Sequence, residues 1–426
     1  MNFRKKVFWI VDLLNRGAIK KGVKKLNDAY DIDIRTFHLL YSEESLNALI
    51  NYASSKVDYY PSNGKVLSDF KSISKLDIRN ELNHFLSPDF VQSELIEQVT
   101  SGSTGVPFTT YWSRRKKQFN SIDTIFFNQL AGYDIGIKFY YFKIWNELNR
   151  KSFLKRNIEN VVPVDVRDSS DSFWIRLIQN LSNAKRKVFL LGYASAIEEL
   201  SKTCERQDVK LHSKILGIIT MSEALPDSAK AHMRQWLSEN VFARYSNMEN
   251  GIIAQQVDES GRFLINSHSF KVETLKMDSD ESVSKGEIGR IVITDIYNYA
   301  MPLIRYDTGD LGRISSCGMY LDHIEGRKMD AIYNTKDQLI SSFVITNMMW
   351  KYKELLQYQF VQCSRTSYLF KLNIGNNTFT REKELIEEFK GYLGYDAEIK
   401  IEYVKEVPLL NSGKRRKVLN LMRNHR

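Results

Sequence analysis

Hydrophobic and polar positions follow two different patterns along this chain. Residues 1–98 alternate charged segments of helical appearance with short connections. From about residue 186, short apolar runs such as Lys187–Gly192 are each followed by an amphipathic stretch, and the pattern continues through SKILGIITM, PDSAKAHMRQWLSEN and VFARYSN. Pro226 stands near the start of one such stretch, where proline suits the first turn of a helix. This succession predicts an α/β fold in which mixed β-sheets are layered with helices.

The C-terminal part of the chain has a different character. YQFVQ, SYLFKLNI and EIKIEYV have the composition or alternation of strands, whereas REKELIEEFKGYLG predicts a helix. That helix places Leu385, Ile386, Phe389 and Leu393 on one face. The order predicts a small α+β domain that joins the larger one near IEGRKMDAIYN. We therefore expect a large domain over residues 1–327 and a small mobile lid over residues 328–426.

The first residues, MNFRKKVFWIVDLLNRG, combine a basic start with a short apolar stretch. Asp12 and Asn15 interrupt the stretch and no small-residue cleavage site follows, so it is not a signal peptide. Its apolar residues predict a helix packed on the body of the protein, with attachment to a membrane surface as the alternative. They are Phe8, Ile10, Val11 and Leu14. No apolar run approaches the roughly 20 residues of a membrane span.

Composition narrows the class of protein. A hydrophobic fraction of 43% and a charged fraction of 26% are those of an ordinary globular protein. Cys204, Cys317 and Cys363 lie far apart without a CxxC motif, which argues against structural zinc and favours a cytoplasmic location. The net charge of +10 suits nucleic acid, anionic membrane, acidic polysaccharide or polyphosphate, and charge alone does not choose among them.

One segment consists only of small and hydroxylated residues, directly before a Val-Pro pair. Its members are Thr100, Ser101, Gly102, Ser103, Thr104 and Gly105. The two glycines let backbone N–H groups turn toward an anion and the hydroxyls add donors, so the segment suits a phosphate group. It is neither a Walker A loop, which needs Gly-Lys-Ser/Thr, nor a nucleophile elbow, which needs glycine at position 101. Taken alone, a plain surface turn is the alternative.

Four further segments contain charged residues of the types that bind a nucleotide. They are RYSNMENG with Glu249, RYDTGDLGRI with Asp310, EGRKMD with Arg327, and VPLLNSGKRRKVLN with Lys414. Each has an ordinary alternative when it is taken alone. Glu249 and Asp310 could be surface carboxylates, and the run around Lys414 could be a solvated face or a nucleic-acid patch.

In this order and at these separations, the five segments resemble the adenylate-forming superfamily of acyl-CoA synthetases and adenylation domains. Within it they resemble the phenylacetate-CoA ligase branch and its CapK-like relatives from capsular polysaccharide clusters. The resemblance covers the chain from about residue 95 to the end. It implies an ATP-dependent ligase that activates a small carboxylic acid as an acyl-adenylate and transfers the acyl group to CoA, with Mg²⁺ as cofactor.

Other functions stay open beside this one. The acceptor could be an amine or hydroxyl on a sugar or glycan instead of CoA. A nucleotide-binding protein of polysaccharide assembly that has lost catalysis is a second alternative. A nucleic-acid-binding protein would suit the pI near 9.2, but the chain has no recognisable module that reads nucleic acid.

The resemblance implies roles at the phosphates and at the reacting atoms. Residues 100–105 would hold the β- and γ-phosphates of ATP, and Glu249 would bind Mg²⁺ and so serve catalysis. Lys414 would approach the attacking carboxylate and the bridging oxygen, where an ammonium offsets developing negative charge. Positioning and charge neutralisation account for most of the catalysis in such a reaction.

The resemblance also implies the walls of the nucleotide pocket. Ser222, Glu223 and Tyr245 would border the adenine, although Tyr245 could instead be a core aromatic. Asp310 would accept hydrogen bonds from the ribose hydroxyls, and Arg327 would lie near the ribose and the phosphate. The acid pocket is expected from the region between about residues 120 and 225, including GYDIGIKFYYFKIWNE.

Four positions depart from the usual pattern of the superfamily. Phe108 stands where lysine is frequent, and Ser246 stands where glycine is usual. Met248 replaces a threonine or serine beside Glu249, which removes a hydroxyl from the phosphate region. Met329 replaces an aspartate at the hinge, so we expect the lid to swing differently.

Overall fold

The computed structural model describes residues 3–40, 43–100, 108–145, 153–166, 170–284, 286–327, 332–337, 339–340, 345, 348–349, 351–352, 354–375, 378–408 and 416–422. The α-helices in these ranges are α1 (Phe3–Leu14), α2 (Ala18–Ile32), α3 (Ile34–His38), α4 (Glu43–Lys56), α5 (Lys75–Asn80), α6 (Arg114–Leu130), α7 (Phe153–Glu159), α8 (Asp171–Ser182), α9 (Ala194–Arg206), α10 (Asp227–Trp236) and α11 (Glu382–Leu393). Short 3₁₀ turns occupy Leu67–Asp69, Leu82–Phe85 and Gln92–Glu94.

The strands in the same ranges are β1 (Ile96–Thr100), β2 (Phe108–Trp112), β3 (Lys138–Lys143), β4 (Val161–Asp165), β5 (Val188–Tyr193), β6 (Ile215–Met221), β7 (Val241–Asn247), β8 (Gly251–Gln256), β9 (Phe263–Ile265), β10 (Phe270–Leu275), β11 (Gly289–Asp295), β12 (Tyr306–Ile314), β13 (Tyr320–Arg327), β14 (Ile332–Tyr333), β15 (Leu339–Ile340), β16 (Gln357–Gln362), β17 (Ser367–Asn373), β18 (Glu398–Tyr403) and β19 (Val418–Asn420).

A mixed sheet of 11 strands dominates the larger part of the molecule, in the order β10-β11-β12-β13-β9-β8-β7-β6-β5-β3-β4. The five strands from β4 to β7 in this order are parallel to one another. From the β7–β8 pair onward, neighbouring strands are antiparallel. Helices α8, α9 and α10 lie between the parallel strands in sequence and cover one face of them. The predicted α/β fold with mixed sheets and helical layers is therefore confirmed.

Apolar cores lie on both faces of this sheet. Trp174, Ile197 and Met233 of the covering helices pack with Leu190 and Ile218 in one core. The opposite face carries a second group of buried apolar side chains, Phe139, Phe189, Leu191, Ile219 and Phe242. A third core joins α4 and the 3₁₀ turns to β11 and β12. Because β5, β6 and β7 are parallel, their carboxyl ends lie at the same edge of the sheet.

The C-terminal part forms a separate sheet of four strands, in the order β18-β17-β16-β19. Leu385, Phe389 and Leu393 of α11 are buried in its core, as the helical spacing predicted. Ile386 is only half-buried and does not belong to that buried group. The division between residues 327 and 328 stays a prediction, because residues 328–331 lie outside the described ranges.

Helix α1 contradicts the prediction that its apolar residues pack on the body of the protein. Ile10, Val11 and Leu14 are 57%, 52% and 81% exposed, and only Phe8 is half-buried. Asp12 faces inward instead, where its two carboxylate oxygens accept N–H groups of Ile19 and Lys20 at 3.1 and 2.9 Å. The free N–H groups at the start of α2 attract this carboxylate and so set the rotation of α1.

Within the described part of the chain, the structure contains no helix with the length and apolar character needed to cross a membrane.

Candidate active site

Glu249 lies in the turn between β7 and β8, and its side chain is only 1% exposed. Its Oε1 accepts a hydrogen bond from the Tyr306 hydroxyl at 2.9 Å and lies 2.7 Å from Nζ of Lys75. The indole of Trp112 donates to the main-chain oxygen of Glu249 at 2.6 Å. Segments that are far apart in sequence thus meet at one buried carboxylate.

A second carboxylate, Asp310, is held by Tyr245, which lies near the end of β7. The Tyr245 hydroxyl donates to Oδ2 of Asp310 at 2.7 Å and lies 3.1 Å from Oγ1 of Thr308. Burial, together with the nearby charge of Asp310, raises the pKa of Tyr245 well above its usual value. The phenol therefore stays protonated at neutral pH and fixes the orientation of the carboxylate.

The turn in front of Asp310 depends on a glycine. Gly309 has a φ of 78°, in the left-handed region that favours glycine. Its N–H donates to Oδ1 of Asp307, while the N–H of Asp310 donates to Oγ1 of Thr308 at 3.1 Å. Asp307 is itself paired with Arg290. This local network explains why the Thr-Gly turn presents Asp310 to Tyr245.

Arg327 lies opposite Asp310 in the sheet. The two residues are paired across the antiparallel strands β12 and β13. Both were predicted to serve the ribose, and the register brings their backbones together. The side chain of Arg327 lies outside the described residues.

Ser222 and Glu223 follow β6 directly, at the edge where parallel strands end and where ligands bind in α/β folds. Oε2 of Glu223 accepts the N–H of Ser195 at 2.8 Å, in the first turn of α9. Ser222 is exposed and has a φ of 68°, a strained conformation for a residue other than glycine. Glu223 therefore caps α9 and fixes the loop that was predicted to border the adenine.

Several predicted residues lie outside the described ranges, namely Ser101, Gly102, Ser103, Thr104, Gly105, Lys414 and the side chain of Thr100. The flanking strands are described, and Thr100 pairs with Phe108 across the antiparallel hairpin of β1 and β2. The hydroxylated segment accordingly belongs to the connection of this hairpin. Val418 begins the strand that follows Lys414.

Two residues beside Glu249 were missed by sequence reasoning. Lys75 is the first residue of α5, whose start is marked only by the Ser74–Asp77 capping box. Tyr306 stands within the quoted RYDTGD segment, so its type and position were visible although its partner was not. Burial and the charge of Glu249 raise the pKa of Tyr306 well above its usual value, so this phenol also stays a donor.

The residues around Glu249 fit one ligand position of a magnesium ion. Oε1 is engaged by Tyr306 and Lys75, whereas Oε2 makes no hydrogen bond with a described residue. Magnesium in nucleotide sites is held by one or two carboxylates together with substrate phosphates. The described residues contain no group of three His, Cys, Asp or Glu that would form a complete metal cage. A single carboxylate oxygen next to a triphosphate suits that pattern.

A buried cation lies one residue before Tyr245. Arg244 is 7% exposed, and burial lowers its pKa to about 9. Its Nε donates to Gln255 at 2.8 Å and its Nη2 donates to Asn128 of α6 at 2.6 Å. No carboxylate lies within ion-pair distance of it in the part of the chain that the structure describes. Burial raises the pKa of the neighbouring Tyr141 to about 12, so this phenol is no counter-anion at neutral pH.

The C-terminal part contacts the large sheet's helical layer through Lys417, the last residue of the KRRK run. Its Nζ lies 2.9 Å from Oε2 of Glu198 in α9, and Nζ of Lys202 lies 3.0 Å from Oε1. Burial opposes ionisation of Glu198, but the two ammonium groups outweigh it and hold its pKa at about 2. This ion pair connects the segment of the predicted catalytic lysine to α9.

Comparisons with known proteins bear on this arrangement. Residues 332–421 match the family of the CapK C-terminal domain. Protein CapK from Staphylococcus aureus is 19% identical over 438 residues, which cover 94% of this chain and 91% of that protein.

Similar solved structures include a 2-hydroxyisobutyryl-CoA ligase in its postadenylation state with R3-HIB-AMP, at a TM-score of 0.66, 15% identity and 88% coverage of both chains. The anthranilate CoA ligase AuaEII with anthranoyl-AMP has a TM-score of 0.56 and 12% identity over 77% of this chain and 67% of that one. ATP-bound MatB from Rhodopseudomonas palustris has a TM-score of 0.55 and 15% identity over 78% and 68%. The chain therefore has the fold of these adenylate-forming ligases, as the five sequence segments predicted, and its residues 332–421 match the CapK C-terminal domain family.

Proposed function

We propose that this protein is an ATP-dependent ligase that converts a carboxylic acid to an acyl-adenylate and then transfers the acyl group to CoA. The observation that carries the proposal is that Tyr306 donates to Glu249 while Tyr245 donates to Asp310, with all four side chains in one neighbourhood. Solved relatives of the same fold hold acyl-adenylates, ATP and CoA, which supports the reaction class.

In the first half-reaction an oxygen of the acid attacks the α-phosphorus of ATP. The bond from that phosphorus to the bridging oxygen breaks, and pyrophosphate leaves with the electron pair. Because this step involves little covalent chemistry for the protein, holding the triphosphate in line and neutralising its charge supply the rate enhancement. Residues 100–105 would hold the phosphates, and Lys414 would offset charge at the bridging oxygen.

Glu249, Asp310 and Tyr245 have separate tasks in this proposal. Glu249 would hold Mg²⁺, and the ion would supply charge neutralisation for the phosphates. Tyr245 orients the Asp310 carboxylate toward the ribose hydroxyls, with Arg327 alongside in the strand register. Ser222 and Glu223 would border the adenine, and the bond from Ser195 to Glu223 keeps their loop in place.

Arg244 supports a narrower class of acid, one with a second anionic group. A buried guanidinium without a counter-ion is costly, and pairing it with a carboxylate or phosphate offsets the desolvation. Arg244 lies two residues after Phe242 in β7, so both side chains point to the face of the sheet that α6 covers. Tyr141 of β3 is close to the guanidinium. Tyr141 belongs to the aromatic segment that was predicted to line the acid pocket. A dicarboxylate or a phosphorylated acid would place its distal anion at this guanidinium.

Pyrophosphate release tests the reaction class. The wild type would be assayed with aryl, fatty, amino and dicarboxylic acids beside Lys414→Ala, with Lys400→Ala as the control because Lys400 is an exposed lysine of β18. We expect acid-dependent release that Lys414→Ala reduces by at least about a hundredfold and Lys400→Ala leaves unchanged. Absence of release with every acid, or an unaffected Lys414→Ala, would contradict the proposal. Tight ATP binding without release would favour a nucleotide-binding protein that has lost catalysis, the alternative suggested by Met248 and Met329.

The acceptor is tested in the second half-reaction. We propose CoA, as in the phenylacetate-CoA ligase branch, and a role in capsular polysaccharide biosynthesis, which the sequence resemblance to CapK-like relatives implies. Preformed acyl-adenylate would be offered to CoA, to an amino sugar and to an acidic glycan, with the product identified by mass spectrometry. A thioester with CoA is the expected product. If only the sugar is acylated, the acceptor is a sugar amine or hydroxyl and the proposal of CoA is wrong.

A further inference from the structure

Helix α1 presents an apolar stripe to solvent. Phe3, Val7, Ile10 and Leu14 follow one another at helical spacing and therefore share one face. Phe3, Ile10 and Leu14 are 78%, 57% and 81% exposed, and Leu13 beside them is 71% exposed. Isolated exposed apolar residues are common on protein surfaces, but a continuous stripe along three turns marks an interaction surface.

The orientation of α1 is fixed by polar contacts on its inward side. Asp12 accepts two N–H groups at the start of α2, as described above. Nζ of Lys5 lies 2.6 Å from Oδ2 of Asp134, and Nε of Arg4 donates to the main-chain oxygen of Asn157 at 3.1 Å. With these groups turned toward the body of the protein, the apolar stripe is held outward.

Basic side chains surround the stripe. Residues 1–25 contain eight lysines and arginines and one acidic residue, Asp12, so this segment has a net charge of +7 out of +10 for the whole chain. All the basic residues except Lys5 are exposed, namely Arg4, Lys6, Arg16, Lys20, Lys21, Lys24 and Lys25. Arg114, Arg115 and Lys117 of α6 line a depression together with Phe8 and Val11, which adds further positive charge beside α1.

We propose that α1 attaches the protein to the surface of an anionic lipid bilayer. The stripe of Phe3, Val7, Ile10 and Leu14 would enter the acyl boundary while the lysines and arginines meet the headgroups, which is how amphipathic interfacial helices bind. A second copy of the chain is disfavoured as the occupant because two faces of charge +7 repel each other. A polyanion without apolar groups would leave the stripe in water.

Vesicle co-sedimentation of the full chain tests the proposal with phosphatidylcholine vesicles that contain or lack phosphatidylglycerol. The wild type should bind the anionic vesicles and lose binding in high salt. Ile10→Ser with Leu14→Ser should weaken that binding at least about tenfold, because two apolar side chains no longer leave water. Lys20→Gln with Lys21→Gln should weaken it about thirtyfold, since each basic residue near the surface contributes about 1 kcal/mol, or about fivefold.

The matched control is Tyr395→Ser, which removes an apolar side chain that is 83% exposed in the C-terminal part. It should bind vesicles as the wild type does. Circular dichroism and thermal melting should be unchanged in every variant, because the substituted side chains lie at the surface. Failure of the wild type to bind anionic vesicles, or full binding by the Ile10→Ser, Leu14→Ser variant, would overturn the proposal. A dimer of the wild type in light scattering that the Ile10→Ser, Leu14→Ser variant abolishes would also overturn the proposal, because the stripe would then be a contact between copies.

Discussion

The ammonium group of Lys417 lies 2.9 Å from Oε2 of Glu198, and this contact joins the C-terminal segment to helix α9. Lys202 of the same helix holds the other carboxylate oxygen at 3.0 Å. Lys414 stands three positions before Lys417 in the chain, so the ion pair restrains the segment that carries the predicted catalytic lysine. A rotation of the C-terminal part that carries Lys417 away from α9 has to break it.

Glu198→Gln should lower the free energy of unfolding by about 1–3 kcal/mol, because it leaves two lysines without their buried carboxylate. Urea denaturation measures the change, and a double-mutant cycle with Lys417→Met isolates the pair. Lys390→Met is the control, as it removes a lysine of α11 outside this contact. Additive effects of Glu198→Gln and Lys417→Met would contradict a stabilising contact.

The same carboxylate should impose a pH dependence on stability. Its pKa is about 2 in the folded protein and 4.5 as the usual value, so the unfolded chain takes up the proton first as pH falls. The contribution of Glu198 is therefore complete above about pH 4.5 and is lost as pH falls from there toward 2. Unfolding free energies of the wild type should fall through this range more steeply than those of Glu198→Gln. Parallel curves would contradict the assignment.

Sequence patterns predicted the parts of the fold that depend on local spacing. The strand and helix succession from β5 to β7 follows from apolar runs alternating with amphipathic stretches, and α11 follows from Leu385, Phe389 and Leu393. The order of the five segments was also sufficient to indicate the fold that the solved ligase structures share. For these strands and helices the signal lies in neighbouring residues and does not depend on a distant partner.

Long-range partners explain what the sequence could not predict. The rotation of α1 is set by the bond of Asp12 to the start of α2, and the apolar spacing alone gave the wrong face. Lys75 meets Glu249 only because α5 packs near β12, far along the chain. Arg244 was quoted as the first residue of a motif, but its lack of a carboxylate partner appears only once the strands are assembled.

Tyr306→Phe tests the hydrogen bond that fixes the proposed metal ligand. Removing this hydroxyl leaves buried Glu249 with one donor fewer, so we expect a loss of about 1–2 kcal/mol in unfolding free energy. Pyrophosphate release should fall about tenfold, because the carboxylate is no longer held in one orientation. Tyr60→Phe is the matched control, since that buried hydroxyl donates to the main-chain oxygen of Pro302 instead. Equal activity losses in the two variants would indicate a structural effect only.

Asp295→Asn tests a fully buried ion pair between β11 and α6. Oδ2 of Asp295 in β11 lies 2.6 Å from Nζ of Lys116 in α6, and both side chains are 0% exposed. Loss of one partner leaves the other charge unpaired in the core, so the free energy of unfolding should fall by about 3–5 kcal/mol. Adding Lys116→Met should recover part of this, because no buried lysine then lacks its partner. Denaturation of the three variants distinguishes this from a simple packing defect, in which the double variant would be the least stable.

Arg244→Met tests the proposed second anionic group of the acid. The ratio of kcat/KM for dicarboxylates to that for monocarboxylates of matched length should fall about a hundredfold, because a buried cation that pairs with the distal carboxylate is lost. Monocarboxylates should be used as well as before or better, since a neutral side chain favours an apolar end. Gln255→Leu serves as the control, because it removes a partner of the guanidinium and leaves the charge in place. If Arg244→Met lowers the activity with all acids equally, the residue is structural and the subsite is wrong. If neither the wild type nor the variant releases pyrophosphate with any acid, the reaction class itself fails, and the two results are thus distinguishable.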